Sequence, residues 1–291
     1  RPLGALAFTV IGVSLGTGIT PEFVGDLASW PVSLAALCAT VLVIMAATTL
    51  LLTRVFAQDL GTAILGTAPG ALSYTLALAA EGRGRLETVL VLQTLRLVLL
   101  ILGLPLILDA AGLAGGPAGG AGAAAPMSYL AAAGLTAGAL ALGWLMNRAR
   151  VPGAYLFAGM GVSGLAHGAA IVPGALPPAV IFAAFAVTGA VVGARFAGIG
   201  RAALRRLAGM AMIVILTGSV IAAASAALIA GALGLDFGLV WVAFAPGGIE
   251  AMAAMALALG YDPAFVATHH LVRILFIILV LPLLLRALAP E

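Results

Sequence analysis

Hydrophobic positions in this chain come in long unbroken runs, not in the alternation of a half-buried strand. The runs lie at roughly 3–19, 31–52, 86–108, 128–147, 153–172, 177–197, 207–231 and 264–286. Each is close to the ~20 residues that a helix needs to cross a bilayer. The pattern therefore predicts about eight membrane-spanning helices. Two further apolar segments, 60–81 and 237–260, are interrupted in the middle, by GTAPGALS and by AFAPGGIE. Proline costs a helix interior about 3 kcal/mol and glycine about 1 kcal/mol relative to alanine. A carboxylate at bilayer depth, such as that of Glu250, adds several kcal/mol more. Each interrupted segment is thus expected to form two half-helices around a tip. At 1.5 Å per residue, an arm of about ten residues is ~15 Å long, which puts the tip near the bilayer midplane.

The two breaks belong to an internal repeat with a constant offset of 177 residues. Gly12 pairs with Gly189, Gly16 with Gly193, Asp59 with Asp236, and Gly61 with Gly238. The run Ala68-Pro69-Gly70 pairs with Ala245-Pro246-Gly247, Arg96 with Arg273, and Pro105 with Pro282. Glycines alone could coincide in so biased a composition, but Asp, Pro-Gly, Arg and Pro in one ungapped register do not. The chain divides into a first repeat at 1–111, a Gly/Ala-rich linker at 112–126 and a second repeat at 127–291. The first repeat lacks a counterpart of 127–177, so about two further helices are expected upstream of Arg1.

Charge orients the repeats, because arginine favours cytoplasmic loops. Arg195, Arg201, Arg205 and Arg206 follow the run at 177–197, whereas the equivalent stretch of the first repeat carries Glu22 and Asp26. Asp109 stands opposite Arg286, and Arg83 and Arg85 stand opposite Gly260 and Asp262. Equivalent loops of opposite charge predict repeats of inverted topology. Arg54 puts the end of 31–52 inside, and Arg148 with Arg150 puts the linker outside. An odd number of crossings must separate them. The segment 60–81 is then re-entrant and returns to the side it entered from, and 237–260 is re-entrant from the opposite side.

Composition agrees with this all-α polytopic class. The chain has 291 residues, 64% of them hydrophobic and 8% charged, with a mean hydropathy of +1.24. Soluble domains carry about 25% charged residues. The net charge of +3 comes from scattered arginines, which argues against a nucleic-acid partner. A lone cysteine, Cys38, excludes an internal disulfide.

Candidate chemistry gathers at the breaks. Non-helical backbone at membrane depth is tolerated where protein covers it or where it lines a cavity, and broken helices of this kind form the substrate sites of secondary transporters. Arg96 and Arg273 sit mid-span in the helix after each break. Two readings stand for them: capping of tip carbonyls or pairing with Glu250, and binding of an anionic substrate or coupling ion. Gln93 lies three residues before Arg96, and His269 and His270 lie four and three before Arg273, so each arginine heads a polar stripe. The substrate-binding set is Pro69, Gly70, Ser73, Gln93 and Arg96 from the first repeat, with Pro246, Gly247, Gly248, Glu250, His270 and Arg273 from the second. Glu250, equivalent to Ser73, either carries a coupling proton or sodium ion or caps a helix N-terminus. Asp59 and Asp236 read as helix caps and His167 as a packed helix-end histidine. His269 and His270 point about 100° apart on a helix, which disfavours a shared metal. No catalytic set, metal-ligand spacing, P-loop or dinucleotide fingerprint is present, and no cofactor is expected.

The paired motifs GTAPGALSYTLALAA…LQTLRLVLLILGLP and AFAPGGIEAMAAMALALGYDPAFVATHHLVRILFIILVLP resemble those of the AbrB duplication family of bacterial membrane proteins. VPGAYLFAGMGVSG and TGAVVGARF are similar to its repeat as well, so the likeness covers nearly the whole chain. A soluble DNA-binding regulator shares the family's name but not this sequence character. Members have been labelled putative ammonia monooxygenase, and no residue here supports that chemistry. The repeat pattern is also similar to that of the cation/proton antiporter and anion transporter superfamily, which implies elevator-like transport. The family's first tip usually reads PGG followed by an acidic or polar residue and Met; here it is PGALSY, and only the second tip keeps GG-x-E-x-M. The expected function is secondary transport of a small anionic or zwitterionic metabolite in a bacterial inner membrane. The alternative is a membrane sensor that binds a ligand without moving it. Expected partners are that small molecule and the lipid bilayer, with homo-oligomer formation left open.

Overall fold

Backbone polar groups inside a bilayer must be satisfied within the chain, and a helix does this locally. The computed structural model describes residues 2–17, 30–70, 72–113, 126–149, 151, 153–169, 171–194 and 200–287, and these are almost entirely helical. Among the described residues there is no strand, only an isolated bridge between Pro126 and Ala175. In chain order the helices are α1 (Pro2–Gly16), α2 (Trp30–Arg54), α3 (Leu60–Thr67), α4 (Leu72–Leu78), α5 (Leu86–Ala110), α6 (Tyr129–Arg148) and α7 (Ala154–Gly168). They continue with α8 (Pro178–Gly193), α9 (Arg201–Leu233), α10 (Phe237–Phe244), α11 (Ile249–Ala258) and α12 (Pro263–Ala287). A π-helical turn, Ala79–Arg83, extends α4.

Helices α2, α5, α6, α9 and α12 are each long and apolar enough to cross a membrane. Their outward faces carry large apolar side chains: Leu130 is 85% exposed and Leu228 75%. Such faces need an apolar solvent. The chain is a multi-pass membrane protein of helical class. The other three expected spans also fold as helices, α1, α7 and α8, but these have only 15, 15 and 16 residues. Helix α9 begins earlier than its apolar run, because Arg201, Arg205 and Arg206 continue the helix after a Gly200 cap in place of forming a loop. Glu22, Asp26, Arg150 and Arg195, the linker stretch 114–125, and the side chains of Ser73, Glu250 and Arg286 lie outside the described residues.

Two compact units share the chain, and each draws on both sequence repeats. One comprises Arg1–Pro31, Ala114–Gly193 and Ile249–Ala267; the other comprises Val32–Leu113, Ala194–Gly248 and Thr268–Glu291. In the first unit, α1 packs against α6, α7 and α8. Its approach to α7 needs small residues. A Cβ on Gly12 would fall 2.1 Å from the Leu156 carbonyl oxygen, and one on Gly16 would fall 2.5 Å from Ser163 Cβ. The four-residue spacing of Gly12 and Gly16 is the small-xxx-small pattern that lets membrane helices touch backbone to backbone. His167 ends α7 as a packed histidine, with Nδ1 2.8 Å from Ser163 O and Nε2 2.9 Å from Gly174 O.

In the second unit, α9 packs against α5 and α10, and α3 against α5. Leu52, Ala63, Val91, Leu92, Met210, Ala211 and Ile215 form a core among α2, α3, α5 and α9. Asp59 starts α3 by accepting from the Thr62 N–H (2.7 Å) and the Thr62 hydroxyl (2.7 Å). Asp236 starts α10 in the same way, accepting from the Leu239 N–H at 3.0 Å. Partial burial alone would raise the Asp59 carboxyl. The Thr62 hydrogen bonds and the Arg85 guanidinium outweigh it and hold the group below its ordinary value. Arg85 also closes the segment, because its N–H donates to Thr62 Oγ1 at 2.7 Å. The chain that leaves at Asp59 through α3 and α4 thus returns to the first turn of α3.

Candidate functional site

Both helix breaks fall where the sequence places them. Helix α3 ends at Thr67 and α4 begins at Leu72; α10 ends at Phe244 and α11 begins at Ile249. The turns differ. Gly70 takes φ +91°, a conformation costly for other residues. Its equivalent Gly247 does not, and instead donates its N–H to Ala245 O at 2.7 Å in a three-residue turn. Pro69, Pro246 and Gly247 are buried, and Gly70 and Gly248 are half-buried.

The polar stripes of α5 and α12 point at these breaks. Gln93 donates both amide hydrogens to tip carbonyls, Leu65 O at 2.8 Å and Ala68 O at 2.9 Å. Its Oε1 accepts from Arg96 Nη2 at 2.6 Å. In the second repeat, His270 Nε2 donates to Val242 O at 3.1 Å. A carbonyl can only accept, so the proton is on Nε2, and Nδ1 is left to accept from Arg273 Nη2 at 2.6 Å. Val242 and Ala245 are the offset equivalents of Leu65 and Ala68. The equivalent carbonyls Leu65 O and Val242 O are therefore capped by the equivalent side chains Gln93 and His270.

A difference in donor count separates the two arginines. Glutamine has two amide hydrogens and caps both carbonyls itself. His270 has one ring N–H and leaves Ala245 O for Arg273, whose Nη1 takes it at 2.6 Å. Arg273 Nη2 also donates to Gly247 O. Arg273 is thus a carbonyl cap, whereas the hydrogen-bond partner of Arg96 among the described residues is Gln93. Both guanidiniums are buried, Arg273 at 1% exposure and Arg96 at 6%, and the Nε of each has no hydrogen-bond partner among the described residues. The ion pairs among the described residues are Arg85–Asp59 and Arg206–Glu87, both at exposed positions. Neither buried arginine has an acidic partner there.

Each tip lies near the other repeat's arginine within one compact unit. A Cβ on Gly70 would lie 3.2 Å from Arg273 Nη2, so the first tip rests on the second repeat's guanidinium. Pro246 of the second tip shares with Arg96 the lining of a small cavity of about 20 Å³. Gly248 faces Leu97. Nine of the eleven expected site residues are thus gathered at this place. The side chains of the other two, Ser73 and Glu250, lie outside the described residues. His269 turns away from His270, its Nε2 2.9 Å from Ser33 Oγ. Thr48 and Thr67, which sequence reasoning missed, also line the cavity. The signal for them is weak, since threonines are scattered through apolar helices where they bond their own backbone.

The family model described as "Transition state regulatory protein AbrB" matches residues 1–289. This chain belongs to the AbrB family. Neither a curated protein nor a solved structure gives a significant match. The AbrB assignment covers both repeats and both helix breaks, so the Arg96 and Arg273 sites fall within the family region.

Proposed function

We propose that this AbrB-family protein is a secondary transporter of a small anionic or zwitterionic solute in a bacterial inner membrane. In this reading, segments 60–81 and 237–260 are re-entrant hairpins of inverted repeats, and alternating access is elevator-like. The observation that carries the proposal is the pair of buried guanidiniums at the helix tips, with no acidic partner among the described residues. A charge at membrane depth costs at least ~2.5–3.5 kcal/mol when uncompensated. Tip carbonyls and His270 offset part of this cost for Arg273; in this reading a bound anion offsets it for Arg96. The chain's return to Thr62 at Arg85 supports the hairpin reading for the first repeat. The offset-related hydrogen bonds of Gln93 and His270 support the repeat. A coupling proton or sodium ion at Glu250 belongs to the same proposal.

The test is uptake of labelled carboxylates and amino acids into liposomes holding the purified protein. Gradient-dependent accumulation of any of them supports transport. The alternative is a membrane sensor that binds a ligand without translocation. Saturable binding without uptake would assign that role instead.

A further inference from the structure

The repeat makes Arg96 and Arg273 equivalent, but their surroundings give them different work. Arg273 is held by Ala245 O, Gly247 O and His270 Nδ1, and the Gly70 backbone covers it. Among the described residues Arg96 makes one hydrogen bond, to Gln93, and it lines a cavity with Thr48, Thr67, Gly218 and Pro246. The two hydroxyls on that lining donate to their own helix, Thr48 to Ile44 O and Thr67 to Ala63 O at 2.9 Å. No hydroxyl hydrogen is left for an occupant, so Arg96 is the donor on this wall. The volume of about 20 Å³ holds little more than one water-sized sphere, which needs about 10–15 Å³. A water there could accept from Arg96, but it carries no charge to offset a guanidinium that has no acidic partner among the described residues.

We propose that Arg96 is the anion-contacting residue, that its occupant in this conformation is a single monovalent anion of halide size, and that Arg273 is a positioning residue that fastens the two tips. The proposal rests on the anion-site reading above and narrows it to one arginine and one charge. Multiply charged anions such as phosphates and dicarboxylates do not match a single guanidinium in so small a space.

The test uses the purified full chain, melted in sodium chloride and in sodium gluconate at equal ionic strength. Chloride is close to the cavity in size, whereas gluconate is several times larger. The wild type should melt higher in chloride, saturably with concentration. Arg96→Gln should lose that chloride increment. Arg273→Gln should melt lower in both salts yet keep it. If Arg96→Gln does not fold, Gly218→Ala serves in its place. The added methyl lies 3.4 Å from Ile44 Cγ2, an ordinary contact, and takes up cavity space without touching the arginine. It should weaken chloride at least tenfold and leave melting in gluconate unchanged. Equal wild-type melting in the two salts means that the cavity holds water only and overturns the proposal. So does an increment that survives Arg96→Gln, or one lost in a folded Arg273→Gln. Absence of solute uptake alongside an Arg96-dependent chloride increment refutes transport and leaves this inference standing.

Discussion

Replacing Gly70 with alanine isolates the contact between the first tip and the second repeat's arginine. Two costs add. The backbone there has φ +91°, and a left-handed conformation costs a residue with a Cβ about 1–2 kcal/mol. The new methyl would also lie 3.2 Å from Arg273 Nη2, 3.3 Å from its Nε and 3.2 Å from Ile274 Cγ1. A free guanidinium would swing aside, but this one is pinned by two carbonyls and His270, so the crowding is expected to cost about 1–3 kcal/mol, as overpacking does elsewhere. Gly82 provides the control, with φ +87° and nothing within 4 Å of its would-be Cβ. Gly82→Ala should show the backbone cost alone, and Gly70→Ala about 1–3 kcal/mol more. Thermal melting in one detergent reads the difference, on the order of 2–4 °C per kcal/mol for a chain of this size. The decisive arm is a double-mutant cycle. In an Arg273→Gln background the excess penalty of Gly70→Ala should shrink to the share due to Ile274. Equal melting of Gly70→Ala and Gly82→Ala, or strict additivity with Arg273→Gln, refutes the tip-to-arginine contact.

Gly12→Ala should destabilise the protein by at least 1–3 kcal/mol, because its Cβ meets the Leu156 carbonyl oxygen at 2.1 Å; its repeat equivalent Gly189 has nothing within 4 Å, and Gly189→Ala should be neutral in the same melting assay. Asp59→Ala should cost about 1 kcal/mol at neutral pH through loss of the α3 cap. The depressed Asp59 pKa means that this stability is present above the unfolded carboxylate value and is lost as pH falls through the folded value, so wild type and variant should converge in acid. Cysteines introduced near Arg83 and Arg205, in a Cys38→Ser background, should label from one side of the membrane and one near Asp262 from the other; labelling of Arg205 and Asp262 positions from the same side refutes inverted repeats.

Much of this architecture is legible in the sequence because its causes are local. Apolar runs mark where the helices lie, although α1, α7 and α8 are shorter than their runs, and the Ala-Pro-Gly triplets interrupt helices where they occur. Asp59 and Asp236 cap the helices that follow, as their position before an apolar run implies. The constant offset makes Gln93 and His270 equivalent, and each caps the offset-equivalent carbonyl, Leu65 O or Val242 O. It does not tell the two arginines apart. Their roles follow from how many hydrogens the neighbouring side chain can donate and from which carbonyls lie within its reach, and reach is a property of packing. The cavity beside Arg96 is likewise a tertiary product: Thr48, Thr67, Gly218 and Pro246 come from four separate stretches of chain. Only the fold brings them to one guanidinium, because the space between packed helices depends on every side chain that fills it.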